Sequence, residues 1–392
     1  MGCIVSTPTD GGGNRRMPGN IGAVAVFVPG LRIPKSVDFS FPLAYSVSKG
    51  LVERLSVLRT RIVVMASQEA PKTTRPRRRT ATQHGGSSFA DLLQALEDYL
   101  PVLLGLIKEG SQLDNKIEFV WFNQEDEAEE TAIWSAWYEV LSVLHLMAML
   151  CLSEANLLLL PKTSSDGYQP KVSEENRKNS VDIFLKAAGY LECAVQQILP
   201  CIPPAVRSNL PVDLEEGVLR ALCLQALGQG VDIQLGLAID SAKATLAVKR
   251  RLACEMVKYW HQAQDSIMQV SLNSGWGQKH RLFVKWKYSE AKAAAYYYHG
   301  LILDEGNTEQ SHGMAVAALQ AAEEFLKERK KASEAFNSEP PISRIIETAP
   351  VLPDFALALK PDEYQLPALD PAWEAETTNT RSQKDQKKHE RS

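Results

Sequence analysis

The residues best equipped for chemistry stand at the start of the chain. Met1-Gly2-Cys3-Ile4-Val5-Ser6 fits the N-myristoylation pattern: loss of Met1 frees an unhindered Gly2 amine, a Ser sits at the sixth position, and Cys3 can carry a reversible palmitoyl thioester. One myristoyl chain binds membrane only marginally, so a second acyl chain or a basic patch is needed for stable anchoring. Between Gln68 and His84 the chain offers Lys72, Arg75, Arg77, Arg78 and Arg79 against a single Glu69, in a Pro, Thr and Gly setting that cannot sustain a helix. Alone, this is a solvated loop. Combined with Gly2 and Cys3 it is a patch for anionic lipid, each basic side chain near the surface adding roughly 1 kcal/mol. Residues 7–20 read as a flexible leash. The first apolar run, 21–28, is too short for a secretory signal and is broken by Pro29-Gly30, so the chain is expected on the cytosolic side.

Elsewhere the search for chemistry yields little. Cys3, Cys151, Cys193, Cys201, Cys223 and Cys254 form no C-x-x-C pair, and four of the inner five lie in apolar helical runs, as reduced core thiols of a cytosolic protein do. The seven histidines include no i,i+4 pair and no H-E-x-x-H, so neither a metal site nor a cofactor is expected. Nucleophile-elbow, phosphate-loop and kinase signatures are missing. Gly228-Gln229-Gly230 lacks the third glycine of a dinucleotide fingerprint and follows a helical pattern, which makes it a close-packing feature. Gly275-Trp276-Gly277 reads as a helix-to-helix turn, although free amides there could in principle bind an anion. Tyr296-Tyr297-Tyr298, behind a run of alanines, reads as core packing. No carboxylate pair stands out as acid and base, so an enzyme reading rests on no residue. With 43 basic and 47 acidic side chains and a net charge of -4, the chain has no global field for a nucleic-acid backbone, and no such partner is expected.

The elements that must position these residues are mostly helical. The chain's 392 residues, 45% hydrophobic and 23% charged, have ordinary globular composition. A strand-like stretch at 22–28 precedes a helix at about 41–66, a helix capped by Ser88 and ending at Gly110, a brief strand at 117–122, and a helix at about 127–160 closed by Pro161. The last contains a mostly apolar stretch of 21 residues, 140–160, but Ser142, His145, Ser153, Glu154 and Asn156 within it fit a helix buried by neighbours better than one facing lipid. Amphipathic stretches follow at roughly 173–199, 213–238, 240–272, 277–304 and 309–336. Their short connections predict antiparallel stacking into an extended solenoid resembling tetratricopeptide arrays, without a regular repeat. From about Ser338 a proline-rich segment should lie extended along the helices. The predicted organisation is a leash at 1–20, one helical domain at 21–370 with a basic loop at 68–86, and a charged disordered tail at 371–392.

Five blocks in this order resemble the Bro domain of Alix and its relatives, over about residues 22–360. Val26-Phe27-Val28-Pro29-Gly30-Leu31-Arg32-Ile33-Pro34-Lys35-Ser36-Val37-Asp38-Phe39 looks like the family's opening. Ile117-Glu118-Phe119-Val120-Trp121-Phe122-Asn123 resembles its I-x-F-x-W-Y-D block, followed as there by a long apolar helix ending in Ser153-Glu154-Ala155-Asn156. Phe184-Leu185-Lys186-Ala187-Ala188-Gly189-Tyr190-Leu191 is similar to F-x-x-A-A-G-x-F. Asp213-Leu214 with Leu219 to Gly230 resembles the L-M-L-A-Q-A-Q-E helix, and Tyr296 to Leu319 the Y-x-x-G helix with its G-x-A-V-A-x-L trailer. Gly228 and Gly230 replace usual alanines, at about 1 kcal/mol each in a helix, and Asn123 replaces an acidic residue.

The resemblance implies a mainly α, elongated, boomerang-shaped helical solenoid with a few short N-terminal β-strands. It also implies a non-enzymatic adaptor of endosomal sorting that binds the C-terminal amphipathic helix of an ESCRT-III subunit of the charged multivesicular body type, in a concave hydrophobic groove. The matching patch positions are Val248, Leu252 and Leu235. Val248 and Leu252 are i,i+4 neighbours, with Lys249, Arg250 and Arg251 around them to suit an acidic ligand helix; the other reading is ordinary solenoid core. Some relatives carry a C-terminal prenyl group. The chain's last residues lack the cysteine for it, so the N-terminal acyl signal would replace it, at an endosomal or plasma membrane with a cytoplasmic pool. The competing class is a membrane-tethered helical scaffold for another peptide or signalling partner.

Overall fold

The computed structural model describes residues 26–69, 85–124, 130–160, 172–271, 275–306, 308–337 and 349–374. Gly2, Cys3 and the cationic positions Lys72, Arg75, Arg77, Arg78 and Arg79 lie outside them. The described residues are mainly helical with one short sheet, as the sequence predicts. They pack as two compact units, each assembled from three separate stretches of chain. Such interleaving leaves no boundary that a linear reading could detect.

One unit comprises Gly30–Leu150, Cys193–Leu214 and the chain from Tyr364. Strands β1 (Arg32–Pro34), β2 (Phe119–Asn123) and β3 (Glu130–Ile133) form an antiparallel sheet in the order β1-β2-β3, with Arg32 opposite Asn123 and Phe119 opposite Ile133. Two expectations change here. Among the described residues the first strand is β1: 26–28 carry no strand, 22–25 lie outside the described residues, and 130–133 are a strand instead of part of a helix. Thr131 and Ile133 are β-branched and find a partner strand in β2, which outweighs their place in a helical pattern. Helix α1 (Ser40–Leu43) is separate from α2 (Lys49–Glu69). Helix α3 (Gly85–Leu103) begins upstream of Ser88, so Ser88 is not its cap, and a 3-10 turn follows at Leu104–Ile107.

Helix α4 (Ala136–Leu159) is capped from a distance. Asp114 Oδ1 accepts the N–H groups of Ala136 and Trp137 at 2.8 and 3.3 Å, satisfying donors that a local Ser or Asp would otherwise bond. This helix and α7 (Glu216–Asp240) are long and apolar enough to cross a membrane, but most of each apolar stretch is buried in the fold.

The other unit comprises the chain through Pro29, Cys151–Glu192 and Glu215–Glu363. Helices α5 (Glu174–Cys193), α7, α8 (Leu246–Met268), α9 (Gly275–Asp304) and α10 (Glu309–Asn337) carry it, the four-residue α6 (Pro204–Arg207) belonging to the first unit. Each of α7 to α9 packs on its successor. Gly228 is the close-packing feature the sequence suggested: a Cβ there would come within 2.9 Å of the Trp260 ring. Residues 26–28 lie against these helices, with Val26 N–H on Asn156 Oδ1 (3.0 Å), Phe27 C=O accepting from Gln225 (2.8 Å), and the Phe27 ring stacked on His280. Side chains, not a neighbouring strand, take the backbone hydrogen bonds of this segment.

The first part of the proline-rich segment, 338–348, lies outside the described residues; from 349 to 370 it carries neither helix nor strand and runs along the helices, as predicted. Over 353–360 it shows alternating burial, with Phe355, Leu357 and Leu359 partly buried and Asp354, Ala356, Ala358 and Lys360 exposed. Leu352 packs on the α9–α10 contact beside Tyr296 and Phe325, whose rings stack at 5.6 Å. Leu359 passes Gly230, where a Cβ would come within 2.8 Å, and Asp362 passes Gly189, where a Cβ would come within 2.5 Å of its carbonyl oxygen. These two glycines let an extended chain lie flush on α7 and α5. In the first unit, Trp373 is buried and donates from Nε1 to the Val102 carbonyl at 2.9 Å.

Candidate partner-binding surface

Helix α8 presents the site. Thr245 caps it, its side chain accepting from Val248 N–H at 3.4 Å. Residues 248, 252, 255 and 259 share one face at i, i+4, i+7 and i+11 spacing. At the N-terminal end of that face Val248 is 46% exposed and Leu252 is half-buried. Leu235 on α7 is only 1% exposed. Its side chain belongs to the interior, so the accessible apolar positions are Val248 and Leu252.

About 10 Å further along the helix from Val248, at 1.5 Å per residue, the same face is covered by the extended segment. Glu255 Oε1 accepts the N–H groups of Ala358 and Leu359 at 2.7 and 2.8 Å. Tyr259 donates its hydroxyl to the Leu359 carbonyl, and Lys258 donates to the Phe355 carbonyl and pairs with Asp354. A buried carboxylate and two long polar side chains thus do what a neighbouring strand would do for an extended backbone.

Beside Val248 and Leu252 stand Lys249, Arg250 and Arg251, none of which meets a carboxylate among the described residues. The other charges of this unit are differently placed. Lys287, mostly buried, contacts Asp232 at 2.5 Å and Glu290 at 2.9 Å, and Glu290 meets Arg329 at 3.4 Å. Burial opposes the Lys287 charge, but the two carboxylates more than offset it and raise its pKa. This cluster is internally neutralised and ties α7, α9 and α10 together.

In the first unit, two buried ion pairs converge on α4. Arg32 pairs with Asp213, and Arg59 with Glu139 at 2.6 Å. Trp121 Nε1 also donates to Glu139, at 2.6 Å, and the Tyr99 hydroxyl at 3.2 Å. Burial raises the Glu139 pKa against the pull of Arg59 and these donors. These charges are paired with one another in the interior, and among the described residues no group of three or more potential metal ligands occurs. Cys151, Cys193, Cys223 and Cys254 are buried free thiols, and Cys201 is exposed; burial pushes Cys193 and Cys254 up to about 11, leaving both as inert thiols.

Among the described residues, α8 thus carries a half-exposed apolar step at Val248 and Leu252 within a run of three cations. The chain belongs to the BRO1-like domain family, whose model matches residues 59–349. Three solved structures share the fold. A structure described as endosomal targeting by the Bro1 domain is 15% identical, with 92% of this chain and 98% of that chain covered and a TM-score of 0.53. A complex of the Alix Bro1 domain with CHMP4C is 16% identical, covering 88% and 98%, at 0.54. Alix bound to the SIVmac239 late domain PYKEVTEDL is 18% identical at 0.56, with 80% of this chain covered; the chain spans 44% of that one. No curated protein matches the sequence.

Proposed function

We propose that the chain is a non-enzymatic, membrane-anchored adaptor of the endosomal sorting pathway, and that Val248 and Leu252 on α8 receive the C-terminal amphipathic helix of an ESCRT-III subunit. The observation that carries this reading is an accessible apolar i,i+4 step within a run of three cations that have no carboxylate partner among the described residues, a surface suited to an acidic amphipathic helix. The complex of a Bro1 domain with CHMP4C supports the class of partner. The membrane half of the reading rests on Gly2, Cys3 and Ser6 together with Lys72, Arg75, Arg77, Arg78 and Arg79, and it puts the protein on the cytosolic face of an endosomal or plasma membrane.

Leu252→Asp removes an anchor worth roughly 1.5–3 kcal/mol and sets a charge where the docked helix must desolvate it, so affinity for an ESCRT-III C-terminal peptide should fall at least about tenfold. Val248→Asp, at the more exposed position, should do the same with an unchanged thermal melt. Intact peptide binding by both variants refutes the docking face and favours a scaffold for some other partner. For the anchor, Gly2→Ala should move the protein from the membrane to the soluble fraction, and unchanged fractionation refutes it.

A further inference from the structure

Arg250 differs from the other arginines whose side chains enter the fold. Arg32, Arg59, Arg177 and Arg329 each meet a carboxylate, and Arg281 a carbonyl. Among the described residues Arg250 meets only rings. Its guanidinium carbon lies 5.7 Å from the centre of the Phe355 ring, and Nη1 is 3.5 Å from His299 Nδ1. A guanidinium has no acceptor, so His299 Nδ1 must face it with a lone pair, which requires a neutral imidazole. Burial, then the Arg250 charge, lower the His299 pKa and keep it in that form. Arg250 Nε is buried without a partner.

An aromatic face and a neutral imidazole fix the plane of a cation without neutralising it. Phe355 is itself pinned, since the extended segment carrying it is fastened to α8 through Lys258, Glu255 and Tyr259. The result is a pre-oriented guanidinium, brought by its seat on Phe355 to the segment that covers the α8 face of Val248 and Leu252, and without a carboxylate partner among the described residues.

We propose that Arg250 is the carboxylate-reading residue of the α8 surface, taking an acidic side chain of the docked helix, with Phe355 and His299 as its positioning residues. This rests on the reading of α8 as the docking face, which it deepens by naming where that face discriminates. Lysine at 250 would keep the charge but lose the planar fork and its seat on Phe355.

The test uses the full chain and a synthetic peptide with an ESCRT-III C-terminal helix sequence, plus versions with each Asp or Glu replaced singly by its amide. Arg250→Gln should weaken binding about tenfold with an unchanged melt, and Arg250→Lys should lose most of that amount. One amide-substituted peptide should bind the parent protein equally weakly and show no further loss on Arg250→Gln. Phe355→Ala should weaken the acidic peptide but not that amide version. Parent-like binding by Arg250→Gln, with Leu252→Asp defective, overturns the role of Arg250 and leaves the docking face standing. Intact binding by Leu252→Asp removes the docking face, and the Arg250 assignment with it.

Discussion

Arg32 and Asp213, 181 residues apart in the chain, form a forked ion pair in which Arg32 Nη1 lies 2.7 and 2.8 Å from the two carboxylate oxygens. Arg32 Nη2 adds a bond to the Tyr138 hydroxyl at 2.8 Å, and Asn123 donates to Asp213 at 2.9 Å. Burial opposes the Asp213 charge, yet Arg32, helped by His145 and the Asn123 donor, holds its carboxyl below the usual range. The first strand of the sheet, its partner β2 and the turn ahead of α7 are therefore fastened at one point.

Removing one member leaves a buried charge without its counterion. Asp213→Leu or Arg32→Met alone should lower stability by about 3–5 kcal/mol, whereas Arg32→Met combined with Asp213→Leu should recover much of that loss, because the desolvation of both charges disappears with the pair. Urea unfolding of the two single variants and the double variant checks this. A double variant as unstable as the sum of the singles would mean that the pair is not a coupled unit.

Glu255 is expected to govern the extended segment without governing the helices. Glu255→Ala strands the N–H groups of Ala358 and Leu359 in a partly buried position, at about 1–3 kcal/mol each, and this exceeds what two half-buried leucines can hold alone. Hydrogen exchange should accelerate at 355–362 and stay near parent rates along α7 and α9. Uniform acceleration across the whole unit would show that Glu255 supports the helical stack itself.

These relationships separate what the sequence displays from what it hides. Helix periodicity and the Pro and Gly connections expose α5 and α7 to α10, because each buries a stripe on its neighbour and the stripe is written every three to four residues. The i,i+4 step of Val248 and Leu252 is visible on the same grounds, and so is the close packing at Gly228. Long-range hydrogen bonding is not visible. The cap of α4 is Asp114, the bonds of residues 26–28 go to Asn156 and Gln225, and β3 is a strand only because β2 lies beside it. Local pattern reads these three places as a helix start, a strand and a helix. Arg250 stood in the sequence as one cation of three; its seat on Phe355 depends on where the proline-rich segment crosses α8, which no spacing rule encodes. Leu235 fits the helical pattern as well as Leu252 does, and only tertiary packing decides which of the two reaches solvent.

His145 gives the fold a specific sensitivity to acid. It is fully buried on α4 and neither ring nitrogen has a hydrogen-bond partner. Burial, opposed by Asp213 and reinforced by Arg32, lowers its pKa from 6.5 to about 4. The unfolded chain then binds a proton that the folded chain refuses, so this contribution is fully present above pH 6.5 and is lost progressively as pH falls toward 4. At pH 5 the loss is about 2 kcal/mol, from about 1.5 units at 1.36 kcal/mol each. His280, buried against Gln225 and lowered to about 3, acts in the same direction. His145→Phe removes the titrating group and two unsatisfied nitrogens while keeping a ring in the cavity. The variant should melt higher than the parent at pH 7, and its advantage should widen between pH 6.5 and 4. A parallel pair of stability-against-pH curves would place the acid sensitivity elsewhere, and a lower melt at pH 7 would show that the imidazole has a partner within α4's surroundings that its geometry does not reveal.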